Sequence, residues 1–147
     1  MKTISRFSFP IILAFVLCVG FVFTSCDEDK DEDKPYSELI IGRWGIQSQI
    51  MNQYENGQVI NSDTTIFTTN EGEYVIANFN TSGIVTLQFT NGQADTSAYV
   101  VRNDSLIIDT DESFKILELN TSKLKIRGAY TDMNVTYENT MTFGKLN

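Results

Sequence analysis

Histidine is absent from all 147 residues of the chain. Its absence removes the side chain most often used as a general base near neutral pH and the commonest metal ligand. Cysteine is nearly absent too, since Cys18 and Cys26 both lie in or beside the apolar N-terminal run. Everything after Cys26 therefore lacks disulfides, thiolate nucleophiles and thiolate ligands for zinc. Basic residues are few, 11 Lys and Arg against 19 Asp and Glu, and they form no stripe. Phosphate backbones need such residues to displace counterions, so nucleic acid is not an expected partner. No G-x-S-x-G elbow, P-loop or dinucleotide fingerprint occurs. The expectation is a protein that is not an enzyme and uses neither cofactor nor metal.

What is present begins with an address. Lys2 and Arg6 precede Phe7–Phe23, which is apolar apart from Ser8 and Pro10, and Thr24-Ser25-Cys26 follows. A charged start, an apolar stretch and small residues before a cut describe a secretory signal peptide. A cysteine directly after the small residue resembles a lipobox, in which cleavage falls between Ser25 and Cys26 and acyl chains such as palmitate are attached to Cys26. Phe23 departs from the leucine usual at its position. Cys18 fits worse, with bulky Leu17 before it and no polar segment after it. The alternative is a retained anchor, but the run is short for about 30 Å of hydrocarbon and Pro10 interrupts it. Each buried methylene contributes about 0.8 kcal/mol, so two or three acyl chains would hold a soluble domain at a membrane.

The run Asp27–Pro35 comes next, with six acids between Asp27 and Asp33. Such a segment is a solvated, self-repelling tether. Removing Lys2 and Arg6 with the signal takes the net charge from −8 to −10, much of it in this tether. The run also resembles the acidic export signal of surface lipoproteins in Bacteroidota. That resemblance implies the outer membrane and the cell surface, the alternative being a periplasm-facing leaflet. The expected organisation is a signal peptide over 1–25, lipidated Cys26 and tether over 26–36, and one domain over 37–147.

From Arg43 the pattern is period two. Trp44, Ile46, Ser48 and Ile50 alternate with Gly45, Gln47, Gln49 and Met51; Leu124, Ile126, Gly128 and Tyr130 alternate with Lys123, Lys125, Arg127 and Ala129. Val135, Tyr137, Met141 and Phe143 follow the same rule. One apolar and one polar face per strand suits antiparallel strands with a core on one side. Turn residues punctuate the runs at Asn56-Gly57, Glu71-Gly72, Thr81-Ser82-Gly83, Asn91-Gly92, Asn103-Asp104 and Asn120-Thr121-Ser122. The prediction is eight or nine strands, over 43–52, 58–68, 73–80, 84–90, 96–102, 105–109, 113–119, 123–130 and 134–143. Short gaps permit hairpins and no helical crossovers, so an all-β, antiparallel up-and-down meander closing into a barrel is expected. The only helical candidate is a turn or two around Ser37–Ile41.

Ile41-Gly42-Arg43-Trp44 at the start of the first strand is similar to the G-x-W opening of lipocalins and related calycins. The Phe79–Thr86 hairpin resembles another segment common in lipocalin-like domains, and lipobox, acidic tether and meander together resemble lipocalin-like lipoproteins of Bacteroidota. The resemblance covers roughly Ser37–Asn147. It implies that Trp44, next to Gly42, closes one barrel end against a basic side chain, for which Lys145 is a candidate. It also implies a lipocalin-like barrel that takes a small, apolar ligand.

Sites of chemistry are scarce. Asp109–Ser113 begins like a calcium loop, but Phe114 stands where the sharp-turn glycine belongs, so a solvated turn is expected. The aromatics suit a packed core, with some around a cavity, and Tyr130 and Tyr137 are the first candidates for its lining. The expected function is a membrane-anchored, monomeric binding module for a small apolar ligand. Its rival is a structural or interaction lipoprotein with a filled barrel, docking an envelope protein or glycan through its outer surface.

Overall fold

A computed structural model describes residues 34–68 and 75–147. The lipobox with Ser25 and Cys26, the tether through Asp33 and the Glu71-Gly72 turn lie outside the described residues. Among the described residues one helical turn, α1 (Tyr36–Leu39), precedes nine strands. These are β1 (Gly42–Glu55), β2 (Gln58–Ile66), β3 (Val75–Phe79), β4 (Ile84–Phe89), β5 (Ala94–Arg102), β6 (Ser105–Ile108), β7 (Glu112–Leu119), β8 (Lys123–Asp132) and β9 (Val135–Leu146).

The turns form as their residues dictate. Asn56 and Gly57 both have positive φ, 52° and 77°, as the tight hairpin between β1 and β2 requires. Asn80 accepts hydrogen bonds from the Ser82 and Ile84 amides at 2.9 and 3.0 Å. Asn120 does the same for Ser122 and Lys123 at 2.9 and 2.8 Å, and Asn91 for Gln93 at 2.9 Å. A side-chain carbonyl that stands in for a backbone acceptor holds each of these three reversals, and every strand but β2 and β3 meets its sequence neighbours antiparallel.

Closure comes from β1. One of its edges pairs with β9 from Arg43↔Leu146 to Glu55↔Val135. The other edge is divided: Gly42–Gly45 pair with β3, and Ser48–Glu55 pair with β2. The result is a closed eight-stranded antiparallel barrel of β1 and β3–β9 plus one extra strand, an architecture consistent with a lipocalin-like fold. β2 is exposed along its whole length because it hangs outside the barrel on the second half of β1. There it extends a ribbon that continues through β9 to the end of β8.

The inward parity expected for β1 holds only in its first half. Trp44 and Ile46 are buried. The register against β9 then slips, because Ile46 faces Phe143 while Ser48 faces Thr142, leaving Gln47 as a bulge. Residues opposite each other share a face. Gln49 therefore falls on the inward face with Met141, and Ile50 on the outward face with Thr140, the reverse of simple alternation. The bulge fits because Gly144 has no side chain, and the carboxamide of Gln47 occupies the space a Cβ there would fill.

Trp44 is the largest of the fully buried side chains, at 0% exposed. Its indole N–H donates to the Ile40 carbonyl at 2.7 Å, which ties α1 and its C-terminal residue to the barrel. The Lys145 ammonium sits 4.2 Å from the centre of the indole ring and donates to the carbonyls of Leu39 (3.4 Å) and Ile41. Lys145 is thus the basic partner of the tryptophan. Burial pushes its ammonium below the ordinary lysine range, and the ring face and two carbonyls offset part of that cost. Gly42 makes the approach feasible: its φ is 123°, and a Cβ there would lie 2.9 Å from Lys145 Nζ. Phe79 and Tyr99 pack edge to face at 5.0 Å, and the Tyr99 hydroxyl donates to the Asn80 carbonyl at 2.7 Å. Burial raises the Tyr99 phenol above its ordinary value.

An indole buries about 150–250 Å², or roughly 4–6 kcal/mol of gross transfer free energy at about 25 cal/mol per Å². Trp44→Ala is expected to cost about 3–5 kcal/mol, measured by urea denaturation followed by far-UV circular dichroism. A cost below about 1 kcal/mol would show that the indole does not hold this end of the barrel.

Candidate functional site

The barrel is hollow. Below the Trp44 layer lies a cavity of about 260 Å³. Its wall comes from seven of the eight barrel strands: Ile46 of β1, Ala77 and Phe79 of β3, Leu87 and Phe89 of β4, Leu106 and Ile108 of β6, Phe114 of β7, Leu124 and Ile126 of β8, and Met141 and Phe143 of β9. Period two explains this wall: each residue is an inward position of its strand, and the alternate positions carry the polar surface. Glu112 is the one charged residue on the lining. Such a chamber, apolar but for Glu112, is suited to excluding water and accepting hydrocarbon.

A second depression of about 310 Å³ adjoins it, lined by Asp111, Glu112, Ser113, Phe114, Gly128, Ala129, Tyr130 and Asn139. Glu112 and Phe114 belong to both, so the Phe114 ring stands between chamber and basin. Gly128 makes room for that ring, since a Cβ on Gly128 would lie 3.0 Å from two of its carbons. Of the Asp109–Ser113 segment, Asp109–Asp111 form a turn, as expected, while Glu112 and Ser113 begin β7. Asp109 has φ 52°, and its carboxylate accepts the Ala98 amide at 3.2 Å while Asp111 accepts the Thr110 hydroxyl. Among the described residues, no three His, Cys, Asp or Glu side chains gather as a metal site.

The four residues expected at the barrel end and cavity are placed apart. Gly42 and Trp44 form the closed end and are not among the residues that line the chamber, although they pair with Phe79 and Ala77 of its wall. Tyr130 and Tyr137 do not line the chamber either. Their rings stack on each other, 4.9 Å apart and 10° from parallel, and Tyr130 is 64% exposed. Both sit on the inward row of their strands, but β7 pairs with β8 only as far as Arg127, so the wall that would cover that row has already ended. Tyr130 instead borders the basin.

Asn139, Gly128 and Glu112 were not anticipated. Two of them leave a trace in the sequence. Asn139 is a polar residue on the inward row between Tyr137 and Met141, and Gly128 is a glycine inside a strand, which commonly marks a close approach. Glu112 has no such mark.

No protein-family model matches the chain, and no curated protein matches it.

Ala77, buried on the chamber wall, gives a direct test of the void. Extra methylenes in a filled core cost about 1–3 kcal/mol. Ala77→Leu is expected to stay within about 1 kcal/mol of the parent in urea denaturation, because its three added carbons enter empty space. A loss above about 2 kcal/mol would mean that this part of the barrel is packed.

Proposed function

We propose that this chain is a lipocalin-like lipoprotein of the Bacteroidota type, held by acyl chains on Cys26 at the outer-membrane surface. In this reading it is a monomeric, non-enzymatic binding module whose barrel takes a small apolar ligand. The chamber of about 260 Å³ is the observation that carries the reading. An apolar cavity of about 150 Å³ holds benzene, so by proportion this one suits a group of about ten heavy atoms. The closed antiparallel barrel, the Gly42–Trp44 opening and the Lys145 contact support the lipocalin-like assignment. Anchoring rests on Thr24-Ser25-Cys26 and the acidic run after it. Among the described residues no helix is long and apolar enough to cross a membrane.

A second reading, an envelope protein that docks a partner through its outer surface, has a different observation in its favour. Among the described residues no second strand pairs with the outer edge of β2, which carries Val59, Ile60 and Ile66, all more than half exposed. Unpaired edges of this kind accept an added strand.

Trp44 is the only tryptophan, so its emission reports unfolding of the barrel alone. Octan-1-ol added to the acylated chain in vesicles is expected to raise the Trp44-detected Tm. In Ala77→Leu, whose side chain takes part of the chamber, the rise should be smaller. No rise in the parent would end the cavity reading and leave the docking one.

For the anchor, Cys26→Ala is expected to release the domain from the membrane fraction or to accumulate uncut precursor. A variant that is processed and still sediments with membranes would sink the lipidation proposal.

A further inference from the structure

The two Asn-Gly turns carry the same chemistry in the sequence and different restraints in the fold. Of the asparagines, only Asn56 and Asn91 precede glycine. Glycine has no Cβ to shield its amide nitrogen, so that nitrogen can attack the amide carbon of the asparagine side chain before it. All four residues are exposed, and a Cβ on either glycine would meet nothing within 4 Å. Access therefore does not tell the two turns apart.

Hydrogen bonding does. At the β4–β5 turn the Gly92 amide donates to the Phe89 carbonyl at 3.0 Å. The Asn91 carboxamide is held at both atoms: its oxygen accepts the Gln93 amide at 2.9 Å, and its nitrogen donates to the Gln93 side chain at 2.9 Å. Nucleophile and electrophile are both engaged. At the β1–β2 turn, neither the Gly57 amide nor the Asn56 carboxamide has such a partner among the described residues. The surroundings differ as well. β4 and β5 are barrel strands, whereas β2 lies outside the barrel and is exposed along its length. Only the pairs Tyr54↔Val59 and Glu55↔Gln58 separate the Asn56-Gly57 turn from the register shift in that hairpin. The tip can therefore open with little else disturbed.

We propose that Asn56 is a self-modification site whose conversion loosens β2 and leaves the barrel intact. The Gly57 amide nitrogen attacks Asn56 Cγ and loses its proton to water. The bond from Cγ to the side-chain nitrogen breaks, and ammonia leaves. The five-membered imide then takes up one water. Opening at the Asn56 backbone carbonyl yields isoaspartate, and opening at Cγ yields aspartate. Water is the only co-reactant, and no electrons change hands. Isoaspartate adds a backbone carbon to a turn that closes with both residues at positive φ, 52° and 77°. Either product adds a carboxylate next to Glu55. β2 thus loses the turn that sets its register, while β1 keeps its pairs with β3 and β9. The chamber uses no residue of β2, so the exposed edge and the chamber age separately.

The test holds the full chain in phosphatidylcholine vesicles at mildly alkaline pH. Asn56 and Asn91 are followed by peptide mapping with an isoaspartate-specific methyltransferase. Synthetic peptides covering 54–59 and 89–94 give the rates without the fold, where the two should be alike. In the protein, Asn56 is expected to convert about tenfold faster than Asn91, where three hydrogen bonds must break first. Protease cleavage within 58–66 should rise in step with Asn56 conversion, and the Trp44-detected Tm should stay that of the parent. Asn56→Gln, whose longer side chain would have to close a six-membered ring, should keep β2 protected over the same incubation. Conversion of Asn56 no faster than that of Asn91 in the folded chain overturns the site. A Tm that falls as Asn56 converts, or β2 cleavage that rises equally in Asn56→Gln, overturns the selective loss of β2.

Discussion

A single strand with two edges has to serve three partners, and most of the structure follows from how β1 divides itself among them. β9 takes one whole edge. On the other, β3 takes only the first residues, and β2 takes the rest. The first share closes the barrel, and the second sends a ribbon past the barrel wall. Chamber and ribbon are thus one continuous sheet, so the basin forms where the curved wall ends and the ribbon begins, beside Gly128 and Asn139. The Trp44 indole holds the other end, where its bond to Ile40 and its contact with Lys145 fasten the first and last strands to α1.

The nine strands were legible because alternation and turn chemistry agree at almost every boundary. The observed β4 (Ile84–Phe89), β7 (Glu112–Leu119) and β8 (Lys123–Asp132) fall within one or two residues of expectation. What alternation does not carry is the count of residues across a pair. A bulge at Gln47 reverses every later position of β1, and the only sign of it is Gly144 on another strand, nearly a hundred residues away. Nor does alternation say where a wall stops. Tyr130 and Tyr137 have the parity of core residues, yet whether a row is covered depends on how far β7 extends beside it.

The closed end was similarly half visible. Trp44 and Gly42 stand out in the sequence, and Lys145 was no more than a candidate until the β1–β9 register set it opposite Trp44. The hollow centre had no signature of its own. A packed barrel and an empty one use the same inward residues, and the difference lies in their sizes summed around a ring. Ala77, where a larger side chain would fill space, is one of the positions that leave the void.

The β1–β9 seam also has a consequence in time. It joins Arg43 to Leu146 and Glu55 to Val135, positions near opposite ends of the domain. Every other pairing in the barrel is between neighbours in the order of strands, except the short β1–β3 contact across β2. Contacts between distant segments carry the largest loop-closure entropy, and folds that rely on them are slow to form. Until the seam is made, β9 has an edge without a partner, and such edges recruit other chains. An isolated chain would meet few such edges while its own two ends find each other.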